Sequence, residues 1–442
     1  MQDKISKIIS LSKRRGFVFP SSEIYGGFGS SYDFGPLGVE MKRNLKQIWW
    51  SEMINNHEDI VGLDAAILMN PRVWQASGHL TAGFADELVE CQKCKKRFKK
   101  EEIQKDVCPE CGGKISQSRK FNLMMKTFVG PVEDEASVAY LRAETCQGIY
   151  VNFENIRSAM RKKLPFGIAQ IGKSFRNEIN PKNFIFRTRE FEQMEMQWFC
   201  NPKEVDKWFD YWKEERINWY LKLGIDKKDL RVVGVDKKDR AHYAQRQADI
   251  EYHFPFGWGE IEGIHNRGEW DLSNHSKHSG QDLRYFDEET KEKYFPYIIE
   301  TSVGVERSLF AFLVNAYEEI EGGRTTTTEA VKEQEIVMKF NKKLAPVKVI
   351  VLPLVKNNPK IVAKAQEVYK VVKPDFSCQY DQVGSIGRRY RRADEIGVVF
   401  ALTIDFQTLE DDTITVRDRD TMKQERIKIE NLMSFLNEKL EN

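Results

Sequence analysis

The chain has 442 residues, 41% hydrophobic, 31% charged and 12% aromatic, and its 69 basic and 67 acidic side chains leave a net charge of +2. Such a content excludes a wholly disordered chain and supplies two or three cores at roughly 150 residues per domain. No run of about 18 uncharged apolar residues occurs, so no transmembrane helix is expected.

Met1 to Arg15 alternates Lys and Ile like an amphipathic helix, without the apolar stretch and small-residue cleavage site of a secretory signal. The expectation is therefore a cytoplasmic chain with its seven cysteines reduced. From Pro36, the residues Leu37, Met41, Leu45, Ile48, Trp49 and Met53 recur at helical spacing, with Asn55 and Asn56 suited to the helix end. Ile60 to Leu68 reads as a strand stopped by Asn70 and Pro71.

Between about 85 and 120 the composition turns to Lys, Cys and Gly. Cys91 to Lys120 holds 10 basic and 4 acidic residues, a local charge of +6. Cys91-x2-Cys94 and Cys108-x2-Cys111 are two knuckles at a spacing that suits one tetrahedral Zn²⁺ with Zn–S distances of about 2.3 Å. A small polar insertion without a large core needs such a staple. Four sulfur ligands leave no open coordination position, so the zinc is expected to be structural. Cys146, Cys200 and Cys378 read as small packing residues.

Gln170–Glu178 and Arg187–Phe199 are strand-like runs around an Asn-Pro loop, a predicted antiparallel hairpin. Alternation puts Arg187, Arg189, Phe191, Gln193 and Glu195 on one face, and Glu190, Glu192, Met194, Met196 and Trp198 on the other. Ser174, Arg176 and Glu178 align on the partner strand. The first face suits a polyphosphate held by guanidinium forks, an aromatic base on Phe191 and a cation at Glu195. The same pattern also suits a solvated face laced with ion pairs. Gln245–Phe254 pairs with Glu260–Asn266, and a strand at Tyr297–Glu300 leads to a helix from about Gly304 to Tyr317, with Arg307 in its first turn. After a Gly/Thr linker from Gly322 to Thr328, strands at Val347–Leu352 and Val398–Ile404 alternate with helices at Pro359–Val372 and Ile427–Leu440, an α/β module of about 100 residues.

The Phe-Arg-Asn-Glu loop (175–178), the Arg-Glu-Phe strand (189–191) and the Gly-x-Glu-Arg helix start (304–307) together resemble the second and third signature motifs of class II aminoacyl-tRNA synthetases. The stretches LRAETCQGIYVNF (141–153), GEIEGIHNRGEWDLSNHSKHSG (259–280), ETSVGVER (300–307) and GSIGRRYRRADEIG (384–397) are similar to blocks of the dimeric glycyl-tRNA synthetases, as are the Cys pairs and GFVFPSSEIYGGFGSSYDFGPLG (16–38). Ala143, Cys146, His265, Gly268 and Trp270 depart from the commoner family pattern.

The resemblance implies an α+β fold, with a six-stranded antiparallel catalytic sheet flanked by helices, a zinc-ribbon-like insertion and a C-terminal α/β anticodon-binding domain. The implied division is 1–84 with the dimerisation motif, 85–120 insertion, 121–325 catalytic core, 326–345 linker and 346–442 anticodon-binding domain. It implies a homodimer built on the helix 36–56 and the strand ending at Pro71. The substrates would be ATP with Mg²⁺, glycine and tRNA(Gly), with no DNA or membrane partner and with diadenosine tetraphosphate synthesis as a side activity. The catalytic arginines would be Arg176, at the α-phosphate, and Arg307, near the γ-phosphate. The ATP segments would include Asn177, Glu178, Phe186, Arg187, Thr188, Arg189, Glu190, Phe191, Glu260, Ile261, Gly304, Val305 and Glu306, with Glu178 and Glu260 toward Mg²⁺. The glycine pocket would draw on Glu144, Phe191, Glu192, Gln193, Met194, Glu195, Glu300, Thr301, Ser302 and Gly304. Arg97, Arg388, Arg389, Arg391 and Arg392 would meet tRNA. A class II enzyme for Pro or Thr, and a catalytically silent nucleic-acid-binding relative, are the competing readings. The carboxylate-rich pocket opposes the first, and the retained Arg176 and Arg307 oppose the second.

Overall fold

The computed structural model describes residues 2–81, 84–103, 106–179, 183–238, 240–241, 243–321 and 335–441. The Gly322–Thr328 linker and the Asn180–Pro181 turn of the predicted hairpin lie outside the described residues.

The N-terminal amphipathic segment forms α1 (Gln2–Arg15). Pro36 opens α2 (Pro36–Trp50), which buries Leu37, Met41, Leu45 and Trp49 at the predicted spacing. Each such burial contributes about 1.5–3 kcal/mol. A side chain at Gly38 would put Cβ 1.9 Å from the Phe17 carbonyl oxygen, so glycine lets α2 lie against that chain. The strand expected over 60–68 is only β1 (Ile60–Gly62). Asn70 and Pro71 do stop the extended run, but by starting α3 (Pro71–Ala76): the Asn70 side chain accepts from the Arg72 N–H and Pro71 fills the first turn.

The cysteine-rich insertion is a small sheet of β2 (Ala85–Glu90), β3 (Arg97–Lys99) and β4 (Arg119–Asn122), with β2 in the centre. The principal sheet takes up β5 (Phe166–Phe175), β6 (Glu190–Cys200), β7 (Leu230–Gly234), β8 (Arg246–Phe254), β9 (Gly257–Gly268) and β10 (Tyr297–Gly304). Its order is β7-β8-β9-β10-β6-β5-β1. The six expected antiparallel strands are present, and β1 adds a seventh, parallel to β5. Gly268, at φ +57°, ends β9 where the pairing with β10 shifts register. One face of the sheet packs on α4 (Val205–Lys222) and α5 (Val305–Ala316), the helix that follows β10 without a loop. That face supplies Met194, Met196, Trp198, Ile250, Ile264 and Val303 to the core.

Beyond residue 334 the expected linker already carries a strand, Glu335–Met338, paired with Tyr317–Ile320. The C-terminal module is a five-stranded mixed sheet, in which Val349–Pro353 runs parallel to Cys378–Tyr380 and Phe400–Ile404. The last helix is shorter than expected, Leu432–Glu441, because Ile427 pairs with Ile414 in a strand. Among the described residues no helix is long and apolar enough to cross a membrane.

Candidate active site

The polar face of the principal sheet opens into a cleft of about 290 Å³. Strand register assembles it: Glu195 on β6 lies opposite Gln170 on β5 and Ser302 on β10, while His265 on β9 lies opposite Glu300. Three carboxylates, Glu144, Glu195 and Glu300, converge at the buried end, with residue exposures of 7%, 1% and 3%. The rim carries Arg176, Arg187 and Arg307, with Arg187 and Arg307 side chains 39% and 26% exposed.

Each carboxylate is held differently. Glu195 accepts hydrogen bonds from Thr145 Oγ1 (2.7 Å), Gln193 Nε2 (2.8 Å) and Ser302 Oγ (2.8 Å). Burial, reinforced by the negative charges of Glu300 and Glu144, pushes its carboxyl up to about 8. Glu300 faces Arg267 Nη1 at 3.1 and 3.2 Å, accepts from Gln197 Nε2 at 3.1 Å, and lies 2.9 Å from His265 Nδ1. Burial opposes its charge, but Arg267 and His265 outweigh that and hold it down at about 2. Glu144 accepts from Cys146 Sγ (3.0 Å) and Gln147 Nε2 (2.9 Å) and lies 3.3 Å from His79 Nε2. Its carboxyl is also held well below the usual range, against burial, by His79 and Arg267. Arg267 itself is clamped by Asp271 at 2.7 and 2.9 Å and lies 3.5 Å from the Tyr243 ring centre.

At the rim, Arg176 donates through Nε to the Ala143 carbonyl (3.1 Å), and its guanidinium lies over the rings of Phe84 and Phe191 at 5.6 and 5.5 Å. Arg307 donates to the Phe186 and Glu260 carbonyls (3.2 Å each), and its Nη1 lies 3.1 Å from the Glu260 carboxylate. Phe191 and Phe186 supply aromatic walls.

Several expected site residues point elsewhere. Strand alternation turns Met194 into the core and Glu192 toward Lys42 (2.6 Å) and Lys46 (2.9 Å). Thr301 is buried and Ile261 and Val305 belong to the core, whereas Ser302 and Gly304 line the cleft. Arg176, Glu178, Arg187 and Arg189 lie beyond the strand ends, in the connection between β5 and β6, not on a shared strand face. Arg189 donates to the Glu178 and Gly29 carbonyls, Glu190 pairs with Lys173, and Asn177 donates its N–H to the Leu123 carbonyl; none of the three lines the cleft. Thr188, Gln193 and Glu306 do line it, Glu306 also holding Lys42 at 2.6 Å. Cys146 is no mere packing residue, since its thiol binds Glu144 beneath the cleft.

Sequence reasoning passed over Thr145, Gln170, His79, Lys42 and Arg267. Lys42 and Lys46, one turn apart on a flank of the α2 apolar stripe, carried a usable signal, and Thr145 and Arg267 lie inside the blocks 141–153 and 259–280 that the resemblance marks; His79 gave none.

In the insertion the four cysteine sulfurs lie within 4.8 Å of one another, with Cys91–Cys111 at 3.5 Å and Cys94–Cys108 at 3.7 Å. A tetrahedral ion at about 2.3 Å requires sulfurs about 3.8 Å apart, so the cluster fits. Arg97, on the same insertion, pairs with Glu90 at 3.1 Å. In the C-terminal helix Ile386–Glu395, Arg389 is a correction to the expected RNA contacts: it is buried and donates to the carbonyls of Pro353, Leu354 and Asp381. Arg392 pairs with Asp381 and, with Arg388 and Arg391, lines a surface cleft that also holds Arg14, Arg15, Glu335 and Glu395.

The tRNA synthetase class II core domain (G, H, P, S and T) matches residues 131–316, and an anticodon binding domain matches residues 348–439. A glycine–tRNA ligase of Treponema denticola is 51% identical over 100% of this chain and 99% of its own length. Those of Streptomyces coelicolor and Clostridium acetobutylicum are each 48% identical over 99% of this chain and 99% and 98% of their own. With likeness running from end to end, through both the cleft and the C-terminal module, the chain belongs to the glycine–tRNA ligase family.

Proposed function

We infer that the chain is a glycine–tRNA ligase, which joins glycine to ATP as glycyl-adenylate, releases pyrophosphate, and passes the glycyl group to the 3′ end of tRNA(Gly). The observation that carries this reading is the convergence of Glu144, Glu195 and Glu300 at the closed end of a cleft whose open side bears arginines. Glycine offers an ammonium, a carboxylate and no side chain. An excess of buried carboxylate suits the ammonium, and in this reading Ser302 and Glu300 would crowd Cα so that a methyl group would clash. Exclusion by overlap can exceed the roughly 1–3 kcal/mol available from one methylene in an open apolar pocket.

In this reading a glycine carboxylate oxygen attacks the α-phosphorus as the bond from that phosphorus to the bridging oxygen breaks and pyrophosphate departs. The tRNA hydroxyl then attacks the carbonyl carbon, AMP leaves, and the hydroxyl proton passes to AMP or solvent. Arg176 and Arg307 meet the phosphate charge, and Phe191 and Phe186 offer faces to adenine. Catalysis is by positioning and charge, with no protein nucleophile. Glu178 and Glu260 are the cleft carboxylates that would hold Mg²⁺, which neutralises phosphate charge when bound. The Cys91, Cys94, Cys108 and Cys111 cluster would hold structural zinc, supported by its sulfur spacing. A homodimer and a cytoplasmic setting complete the reading.

Amino-acid-dependent ATP–pyrophosphate exchange with glycine, alanine, serine, proline and threonine tests it. Exchange with glycine alone is expected. Exchange with another member would overturn the pocket roles, and none at all from folded protein would favour a binding module.

A further inference from the structure

The cysteine insertion does more than fold beside the cleft. In β3, alternation sends Phe98 into the cysteine cluster, where it packs with Val89, Cys91, Cys108 and Ile115. It sends the next residue, Lys99, the other way. Lys99 Nζ lies 2.6 Å from Asp86 on β2 and 3.8 Å from Glu178 Oε2 in the β5–β6 connection. Its side chain is 13% exposed, and those of Asp86 and Glu178 are 22% and 11% exposed. Glu178 Oε2 is buried without a hydrogen-bond partner among the described groups and lies 3.8 Å from Arg187 as well. Two further links join the insertion to the same connection. Asn177 donates to the Leu123 carbonyl just after β4 (2.8 Å), and Phe84, just before β2, lies under the Arg176 guanidinium.

We propose that Lys99 is a positioning residue for ATP: from the cysteine insertion it balances Glu178, and so leaves Arg187 and Arg176 to the nucleotide phosphates. The physical reason is charge sharing in a poorly solvated place. Asp86 and Glu178 share Lys99, and Glu178 has Arg187 beside it as a second cation. Without Lys99 the two carboxylates repel, and Glu178 draws Arg187 to itself as its remaining partner. The phosphates then meet a guanidinium already neutralised, while the carboxylate end of the cleft is untouched. The cysteine cluster is thus coupled to nucleotide binding through Phe98 and Lys99, adjacent residues on opposite faces of one strand. This rests on the glycine–tRNA ligase reading.

The test is glycine-dependent ATP–pyrophosphate exchange by the full-length enzyme and its Lys99→Met, Lys99→Arg and Lys114→Ala variants, with melting curves for each. Lys99→Met is expected to raise the KM for ATP about tenfold while the KM for glycine stays within about twofold. Lys99→Arg restores the KM for ATP to within about threefold of the parent, and Lys114→Ala, an equal charge loss elsewhere in the insertion, leaves both constants unchanged. A merely structural lysine would instead lower the melting temperature or shift both constants together, and either result overturns the proposal, as does an unchanged KM for ATP. Should Lys99→Met fail to fold, Lys99→Gln, which keeps the stem, must show the same split. Exchange absent from the parent would fell the ligase reading; an ordinary KM for ATP in Lys99→Met beside an active parent fells only the role of Lys99.

Discussion

The cleft and the C-terminal module both bury charge, but they balance it differently. In the C-terminal module Asp394 and Arg417 form a buried pair, two hydrogen bonds of 2.9 Å between side chains only 2% and 3% exposed. Arg389 and Arg419 nearby are spent on backbone carbonyls, and Arg419 also on Asp420. In the cleft, Glu300 and Asp271 share Arg267, whose charge also reaches Glu144, while Glu195 is held by Thr145, Gln193 and Ser302, with His79 and His265 at the edges. Buried charge that is fully matched is architecture. Buried charge left in excess is a vacancy for a ligand of the opposite sign.

Breaking the matched pair is expected to have the largest effect on stability. Asp394→Asn removes the carboxylate hydrogen-bonded to the buried Arg417 guanidinium and should lower unfolding free energy by about 3–5 kcal/mol. Denaturant unfolding followed by fluorescence checks this, and glycine-dependent exchange measured well below the melting temperature should stay within about twofold of the parent.

Relieving the unmatched charge should act in the opposite direction. The Glu195 carboxyl sits at about 8 in the fold, above the ordinary 4.5. The folded state therefore binds the extra proton, and the contribution of Glu195 to stability is present below about 4.5 and lost as pH rises through about 8. Glu195→Gln should melt higher than the parent at pH 9, by a margin that is smaller at pH 6 and closes toward about pH 4.5, while losing glycine activation at pH 9 and pH 6 alike. A variant that melts lower at pH 9 would mean Glu195 is matched after all.

Legibility in the sequence followed the same division. Local periodicity showed α1, α2 and the β5–β6 pair, because one buried face imposes it. Spacing showed the cysteine cluster, because the chain between two knuckles fixes what one ion can reach. The strand ends were misplaced by several residues around Arg176 and Arg187: loop and strand carry similar charged residues there, and only the backbone reveals that the arginines stand beyond the pairing. Arg389 looked like its neighbours Arg388, Arg391 and Arg392, yet it alone is aimed at three carbonyls from distant elements. The roles of Thr145, His79 and Arg267 were not legible, even though Thr145 and Arg267 lie in blocks the resemblance marks, since their partners Glu195, Glu144 and Glu300 lie between 33 and 65 positions away and meet them only in the folded chain.

In the proposed function the buried carboxylates recognise glycine through its ammonium. Calorimetric affinities of two non-hydrolysable adenylate analogues test it most directly, one carrying glycyl and one carrying hydroxyacetyl, in which a hydroxyl replaces the ammonium. The account predicts that the hydroxyacetyl analogue binds at least about 100-fold more weakly at pH 8, the loss of one buried charge pairing. Equal affinities would contradict it.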